Sequence, residues 1–127
     1  MIVSDTDCVI DYLRDRAPNG GAIWRARRDR ELGLSTVTVF ELYFGAPSGR
    51  RFDEVTRFLA RCSILPVTAE AARQAALDGA ALASAGRRLD VPDLLIAGVA
   101  KSLGLSLITR NVRHFSRIEG LELLDPN

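Results

Sequence analysis

"MIVSDTDCVID", residues 1–11, runs a short apolar strand pattern, Ile2-Val3, straight into two carboxylates, Asp5 and Asp7, before turning apolar again at Val9, Ile10 and Leu13. A strand that ends in Asp at the lip of a sheet suits an enzyme that holds a metal ion or a phosphoryl group. Asp in that place is also a common helix N-cap, because its carboxylate accepts hydrogen bonds from the free amides of a first turn. Both readings of Asp5 put a strand before it and a helix after it.

The same alternation recurs along the chain. Periodicity and turn residues predict strands at 2–4, 33–35, 63–66 and 105–109 and near 121–124. They predict helices at about 8–16, 21–30, 37–46, 51–61, 69–85 and 92–103. "APNGG" (Ala17 to Gly21) and "GAPSGRR" (Gly45 to Arg51) read as turns of ordinary length. Short apolar strands alternating with amphipathic helices imply an α/β fold, a mostly parallel central sheet covered by helices on both faces. In such a sheet ligands bind beyond the carboxyl ends of the strands.

The composition bounds the function. At 127 residues the chain has the size of one domain, spanning 1–127. No apolar run approaches the ~20 residues a spanning helix needs, and Asp5, Asp7 and Asp11 interrupt any signal-peptide pattern, which points to a cytoplasmic protein without membrane contact. Cys8 and Cys62 stand far apart in no CxxC pattern and read as reduced, partly buried thiols. A net charge of +1 announces no nucleic-acid field. Nearly all basic residues are Arg, clustered at Arg25, Arg27, Arg28 and Arg30, at Arg50-Arg51, at Arg87-Arg88, and at Arg110 with Arg113. Such clusters suit phosphate oxygens, and they equally serve as solvated helix faces.

Two further acids stand out. In "STVTVFELYFG", Glu41 shares a helix face with Val37, Phe40 and Phe44, and an acid on an apolar face should be paired, protonated or bound to a cation. The competing reading is a capping box, Thr38-x-x-Glu41. Asp93 opens "VPDLLIAGVAKSLG", with Pro92 in the first turn and Gly104 closing the far end. There it serves either a site or simply the positive end of the helix dipole, with Asp90 available as the cap. The small residues Ala97, Gly98 and Ala100 let this helix lie close against the sheet. "GLSLITRN" then gives a strand ending in Thr109, Arg110 and Asn111, residues that also favour plain turns.

What weighs against the bland readings is that Asp5, Glu41 and Asp93 all fall at one edge of one sheet. Oxygen donors with little nitrogen or sulfur favour Mg²⁺ or Mn²⁺, and the sole histidine, His114, makes a zinc cluster or histidine triad improbable. An oxygen-lined site of this kind suits phosphodiester chemistry.

In order and spacing, "VSDTDCVIDYL", "TVTVFELYFGA" and "VPDLLIAGVAKSLGLSLITRNVRHF" resemble PIN-domain proteins, specifically VapC-type toxins of bacterial toxin–antitoxin pairs, over almost the whole chain. The resemblance implies a three-layer α/β/α sandwich and an endoribonuclease whose acids bind Mg²⁺ or Mn²⁺. Asp5, Glu41 and Asp93 would be the acidic cluster, Asp5 and Asp93 the surest metal ligands, and Thr109 would help order the site. Where many relatives carry a fourth acid, this chain has Asn111, which puts a second metal ion in doubt and leaves Asp7 and Asp90 as candidates to compensate. Arg110 and Arg113 are the candidates to steer an RNA backbone. The resemblance also implies a homodimer and a cognate VapB-type antitoxin that masks the site, with Leu42, Tyr43, Phe44 and Phe52 offering surface for it. Two rivals stand beside this reading. One is a haloacid-dehalogenase-like phosphatase opening on Asp5-x-Asp7, which wants a downstream lysine where the chain has only Lys101. The other is a PIN-like binding module whose metal site has decayed.

Overall fold

Each strand of this protein is short, and most strand residues are apolar, so the sheet is stable only with both faces covered. The computed structural model describes residues 1–17 and 21–127; the predicted "APNGG" turn lies mainly outside them. In chain order the elements are β1 (Ile2–Ser4), α1 (Thr6–Leu13), α2 (Ala22–Arg28), β2 (Leu32–Ser35), α3 (Thr36–Gly45), α4 (Gly49–Leu59), β3 (Ser63–Leu65), α5 (Ala69–Ser84), α6 (Val91–Ser102), β4 (Leu107–Ile108), α7 (Val112–Phe115) and β5 (Leu123–Leu124).

The strands form one sheet in the order β3-β2-β1-β4-β5, and every pairing is parallel. Because strand side chains alternate between faces, adjacent residues feed different cores. Leu32, Leu34 and Ile108 join Cys8, Val9, Ile23, Leu42, Val55 and Phe58 on the face covered by α1 to α4. Val3 and Leu107 join Leu82, Ile96, Ala97, Ala100 and Phe115 on the face covered by α5 to α7. This is the expected α/β/α sandwich. The chain steps outward from β1 to β2 and β3, then returns to the opposite side of β1 for β4. The β1–β4 seam is therefore the topological switch point, where a crevice opens at the strand ends.

Several boundaries differ from the sequence reading, each for a local reason. Helix α1 starts at Thr6 because Asp5 caps it, and ends at Leu13 in a Schellman turn. There Arg16 N–H donates to Asp11 O at 2.8 Å and Asp15 sits at φ 54°. The strand predicted from 105 begins later. Gly104 (φ 66°) and Leu105 instead close α6, with Leu105 N–H donating to Ala100 O at 2.9 Å, so β4 starts only at Leu107. Helix α7 has no counterpart in the sequence reading: a single turn carries too little periodicity to register.

Helix α6 is pressed against α5 rather than held close to the sheet through all its small residues. Ala97 and Ala100 face the sheet, whereas Gly98 faces α5, where an added Cβ would lie 2.4 Å from the carbonyl oxygen of Ala71. Lys101 Nζ lies 3.0 Å from Asp78 Oδ2 across the same interface, with both side chains only 15% exposed. This contact fixes the depth of α6, and with it the position of Asp93. Gly98→Ala is expected to destabilise the protein by about 1–3 kcal/mol, because rigid backbone blocks the new methyl. Gly45→Ala, with nothing within 4 Å, should be near neutral. Thermal melts of the two variants check this, with a drop of several degrees confined to Gly98→Ala.

Candidate active site

Two strands feed the site in the same way. At the end of β1, Asp5 has extended backbone (φ −72°, ψ 168°), and its Oδ1 accepts from the Cys8 N–H at 2.9 Å as the N-cap of α1. At the end of β2, Ser35 does the same for α3, its Oγ accepting from the Thr38 N–H at 3.2 Å. The cap is therefore Ser35, and the capping box centred on Thr38 and Glu41 does not form. These tight exits bring the first turns of α1 and α3 side by side over the sheet edge.

Asp5 is a cap and also more than a cap. Its second oxygen, Oδ2, accepts from Thr109 Oγ1 at 2.6 Å, across the β1–β4 seam. The Thr109 hydroxyl in turn accepts from the Asn111 N–H at 2.9 Å, so its own proton is committed to Asp5. Both Asp5 and Thr109 are buried. Burial pushes the Asp5 carboxyl up from its ordinary range and the neighbouring Asp7 adds to that. The bonds from Thr109 and Cys8 oppose the rise by favouring the ionised form.

A second chain of hydroxyls reaches Glu41. Thr6 Oγ1 donates to Glu41 Oε1 at 2.7 Å and stands 3.0 Å from Thr38 Oγ1. A carboxylate only accepts, so the Thr6 proton points to Glu41 and Thr38 donates to Thr6. The sequence reading has no part for Thr6 and gives Thr38 only that of a capping residue; the signal for the relay is their place in the first turns of two helices that follow strands. The expected apolar face of Glu41 also needs correction. Phe40 and Phe44 are exposed, the inward face of α3 is Thr38 and Leu42, and Glu41 stands half-buried at the border.

Asp93 enters from the first turn of α6, half-buried, with Asp90 at the N-cap position making no side-chain capping bond. Asp5, Thr6, Asp7, Glu41, Asp90, Pro92 and Asp93 line one cleft of about 200 Å³. No basic side chain lines it. Burial and the surrounding charges of Asp5, Asp90, Glu41 and Asp7 push the Asp93 carboxyl up to about 6.

The cleft is open rather than a closed cage: among the described residues no set of three or more His, Cys, Asp or Glu side chains is already gathered in a metal-holding arrangement. The donor chemistry nevertheless fits a hard cation, since every polar group offered is an oxygen and the charge is all of one sign.

The other candidates lie outside the cleft. Asn111 stands at the N-cap position of α7 without a side-chain capping bond, and its Oδ1 is 2.7 Å from His114 Nδ1. Arg110 is paired with Asp11, which also meets Arg16 at 3.1 Å, and Arg113 is exposed on α7. Lys101 is eight residues beyond Asp93, about 12 Å along the helix at 1.5 Å per residue, and is held by Asp78. A phosphatase reading, which needs a lysine at the acids, has none there. Burial pushes the Cys8 thiol up to about 12, consistent with an inert core group.

Fold and cleft together define a parallel α/β domain with an oxygen-donor site at its switch point. The chain belongs to the PIN-domain family, whose model matches residues 2–121. It is 36% identical over 96 residues to a tRNA(fMet)-specific endonuclease VapC from Shigella flexneri, covering 72% of this chain and 73% of that protein. It is 34% identical over 122 residues to Ribonuclease VapC10 from Mycobacterium tuberculosis, covering 96% of this chain and 91% of that one. Its fold matches a chain in the crystal structure of DNA-bound VapBC from Salmonella typhimurium with a TM-score of 0.86 and 27% identity, over 100% of both chains.

Asp93 gives a signed prediction for the cation-free protein. Its folded-state pKa lies above the ordinary 3.8, so the stability linked to this group is present at low pH and is lost as pH rises through about 6. Asp93→Asn should therefore melt higher than the parent at pH 8, by on the order of 1 kcal/mol once solvent screening of the half-exposed group is allowed for. The advantage should shrink steadily toward pH 4. Melting curves of both proteins in chelator across that range check the sign.

Proposed function

We propose that this protein is the toxin ribonuclease of a toxin–antitoxin pair, a Mg²⁺- or Mn²⁺-dependent endoribonuclease that acts in the cytoplasm as a homodimer and is neutralised by a VapB-type antitoxin. The observation that carries the reading is the cleft at the strand ends, which five carboxylates line and, among the described residues, no basic side chain does. The VapC ribonucleases among its relatives supply the substrate class.

Each residue has a part that follows from its surroundings. Asp5 is the fixed ligand, since its two oxygens are oriented by Cys8 and Thr109 and each keeps a lone pair for a cation. Asp93 is the second ligand, and its raised pKa reflects burial and like charges that a cation would relieve. Glu41, with one oxygen held by Thr6, keeps the other to serve as a further ligand of the cation or to orient the attacking water. A divalent cation bound there lowers the pKa of water and offsets charge on the scissile phosphate. Asp7 and Asp90, on the rim of the cleft, add negative potential that draws in the cation.

The antitoxin's seat, in this reading, is the groove lined by Ile10, Leu13, Leu42 and Val55, with Arg14 and Arg51 beside it. Glu41 lines both this groove and the acid cleft, so a segment in the groove ends against the site. A second reading, a binding module without catalysis, draws on one observation: the Asn111 side chain is occupied by His114 and brings nothing to the cleft.

Cleavage of total cellular RNA by the antitoxin-free protein tests the proposal. Discrete fragments are expected with Mg²⁺ or Mn²⁺, none with chelator, and at least ~100-fold less with Asp5→Asn, on the order of the loss of one key electrostatic group. Folding of that variant is checked by circular dichroism. Intact RNA after incubation of the folded parent with either metal would favour the binding module.

A further inference from the structure

Phe44 is the most exposed large apolar side chain among the described residues, at 76%, and Phe40 one turn earlier on α3 is 65% exposed. Their rings are already stacked on one another, with centroids 5.5 Å apart and planes 21° apart. The inward face of α3 is filled by Thr38 and Leu42, so the pair contributes little to the core. Phe44 follows Glu41 by three residues, the spacing that makes neighbours on a helix surface, and Phe40 shares the face of Phe44 one turn earlier, so the ring pair borders the side of α3 that carries the cleft acid.

Resting on the nuclease reading, we propose that Phe40 and Phe44 form a stacking platform for an unpaired RNA base next to the scissile phosphate. They are positioning residues, and they select single-stranded substrate. The cleft itself repels phosphate until a cation binds, and Arg110 is held by Asp11, so an uncharged grip suits the space beside the acids. Aromatic faces provide such a grip for any base, and a paired duplex keeps its bases out of reach. The size of the patch also fits a base. Two rings expose about 300 Å², whereas a stable protein interface takes roughly 800 Å² from each partner.

The test is steady-state cleavage of a single-stranded oligoribonucleotide with Mn²⁺ by Phe44→Ala, Phe44→Leu and Phe44→Trp. Light scattering is run on each protein and on the double variant Phe40→Ala/Phe44→Ala. Phe44→Ala should raise KM roughly 5- to 150-fold with kcat within about twofold. Phe44→Leu keeps the apolar character without a ring face and should lose as much, whereas Phe44→Trp should retain the parent's KM. Poly(U) should quench the indole emission that Phe44→Trp adds to that of Trp24, the chain's single native tryptophan. Full activity in Phe44→Leu would overturn the platform, as would a double variant that falls from dimer to monomer with KM unchanged. If the parent cleaves no RNA, the nuclease reading fails by itself. Quenching in Phe44→Trp beyond that of the parent then still supports the platform, and its absence overturns it.

Discussion

The bond from the Thr109 hydroxyl to Asp5 Oδ2 is the contact on which the site depends. It joins the ends of β1 and β4, the two strands between which the chain reverses its order across the sheet. The backbone repeats the link, with the Asp5 N–H donating to Ile108 O at 3.0 Å. The other carboxylate oxygen of Asp5 starts α1. One buried side chain thus ends a strand, begins a helix and forms the floor of the cleft. Moving it would disturb all three, which explains why a costly buried carboxylate sits where an ordinary cap residue would serve the helix equally well.

Around that anchor the protein gathers charge of one sign and keeps compensating charge away. The sole lysine is held by Asp78 between α5 and α6, and Arg110 and Arg16 both turn to Asp11. The cost is visible in Asp93, whose carboxyl is held near 6 by burial and its acidic neighbours. In the proposed reading a cation bound there would relieve the repulsion of like charges, and local stability would be traded for function. Two supports keep the acids from splaying apart. The hydroxyl relay from Thr38 through Thr6 holds Glu41, and the close approach of α6 to α5 at Gly98 fixes the helix that carries Asp93.

Much of this was legible in the sequence, for reasons that differ by element. The run from Ile2 to Asp5 announced a strand meeting an acid, and Pro92-Asp93 announced a helix start, because both rest on local chemistry that tertiary packing seldom overrides. The alternation of short strands and longer helices was enough for the layered parallel fold. What failed was the choice of helix face. Phe40 and Phe44 have core-like spacing, but periodicity says only that residues share a side, not that the side is covered. Gly98 was misassigned to the sheet for the same reason. The relay from Thr38 through Thr6 to Glu41 was invisible, and Thr38 entered only as a capping residue, because its bonds span 32 and 35 residues and are made only by the fold. The turn of α7 was too short to show a period, and it is what carries Asn111 to His114 instead of to the cleft.

Whether Asp5 and Asp93 serve one cation is decided by thermal denaturation with Mn²⁺ at neutral pH, independent of any RNA. A ligand bound only by the folded state raises the melting temperature in proportion to the logarithm of its concentration above Kd. Such a rise is expected for the parent protein and almost none for Asp5→Asn or Asp93→Asn, with Mg²⁺ competing. An equal rise in all three proteins, or no rise in the parent at millimolar Mn²⁺, would contradict a shared cation site.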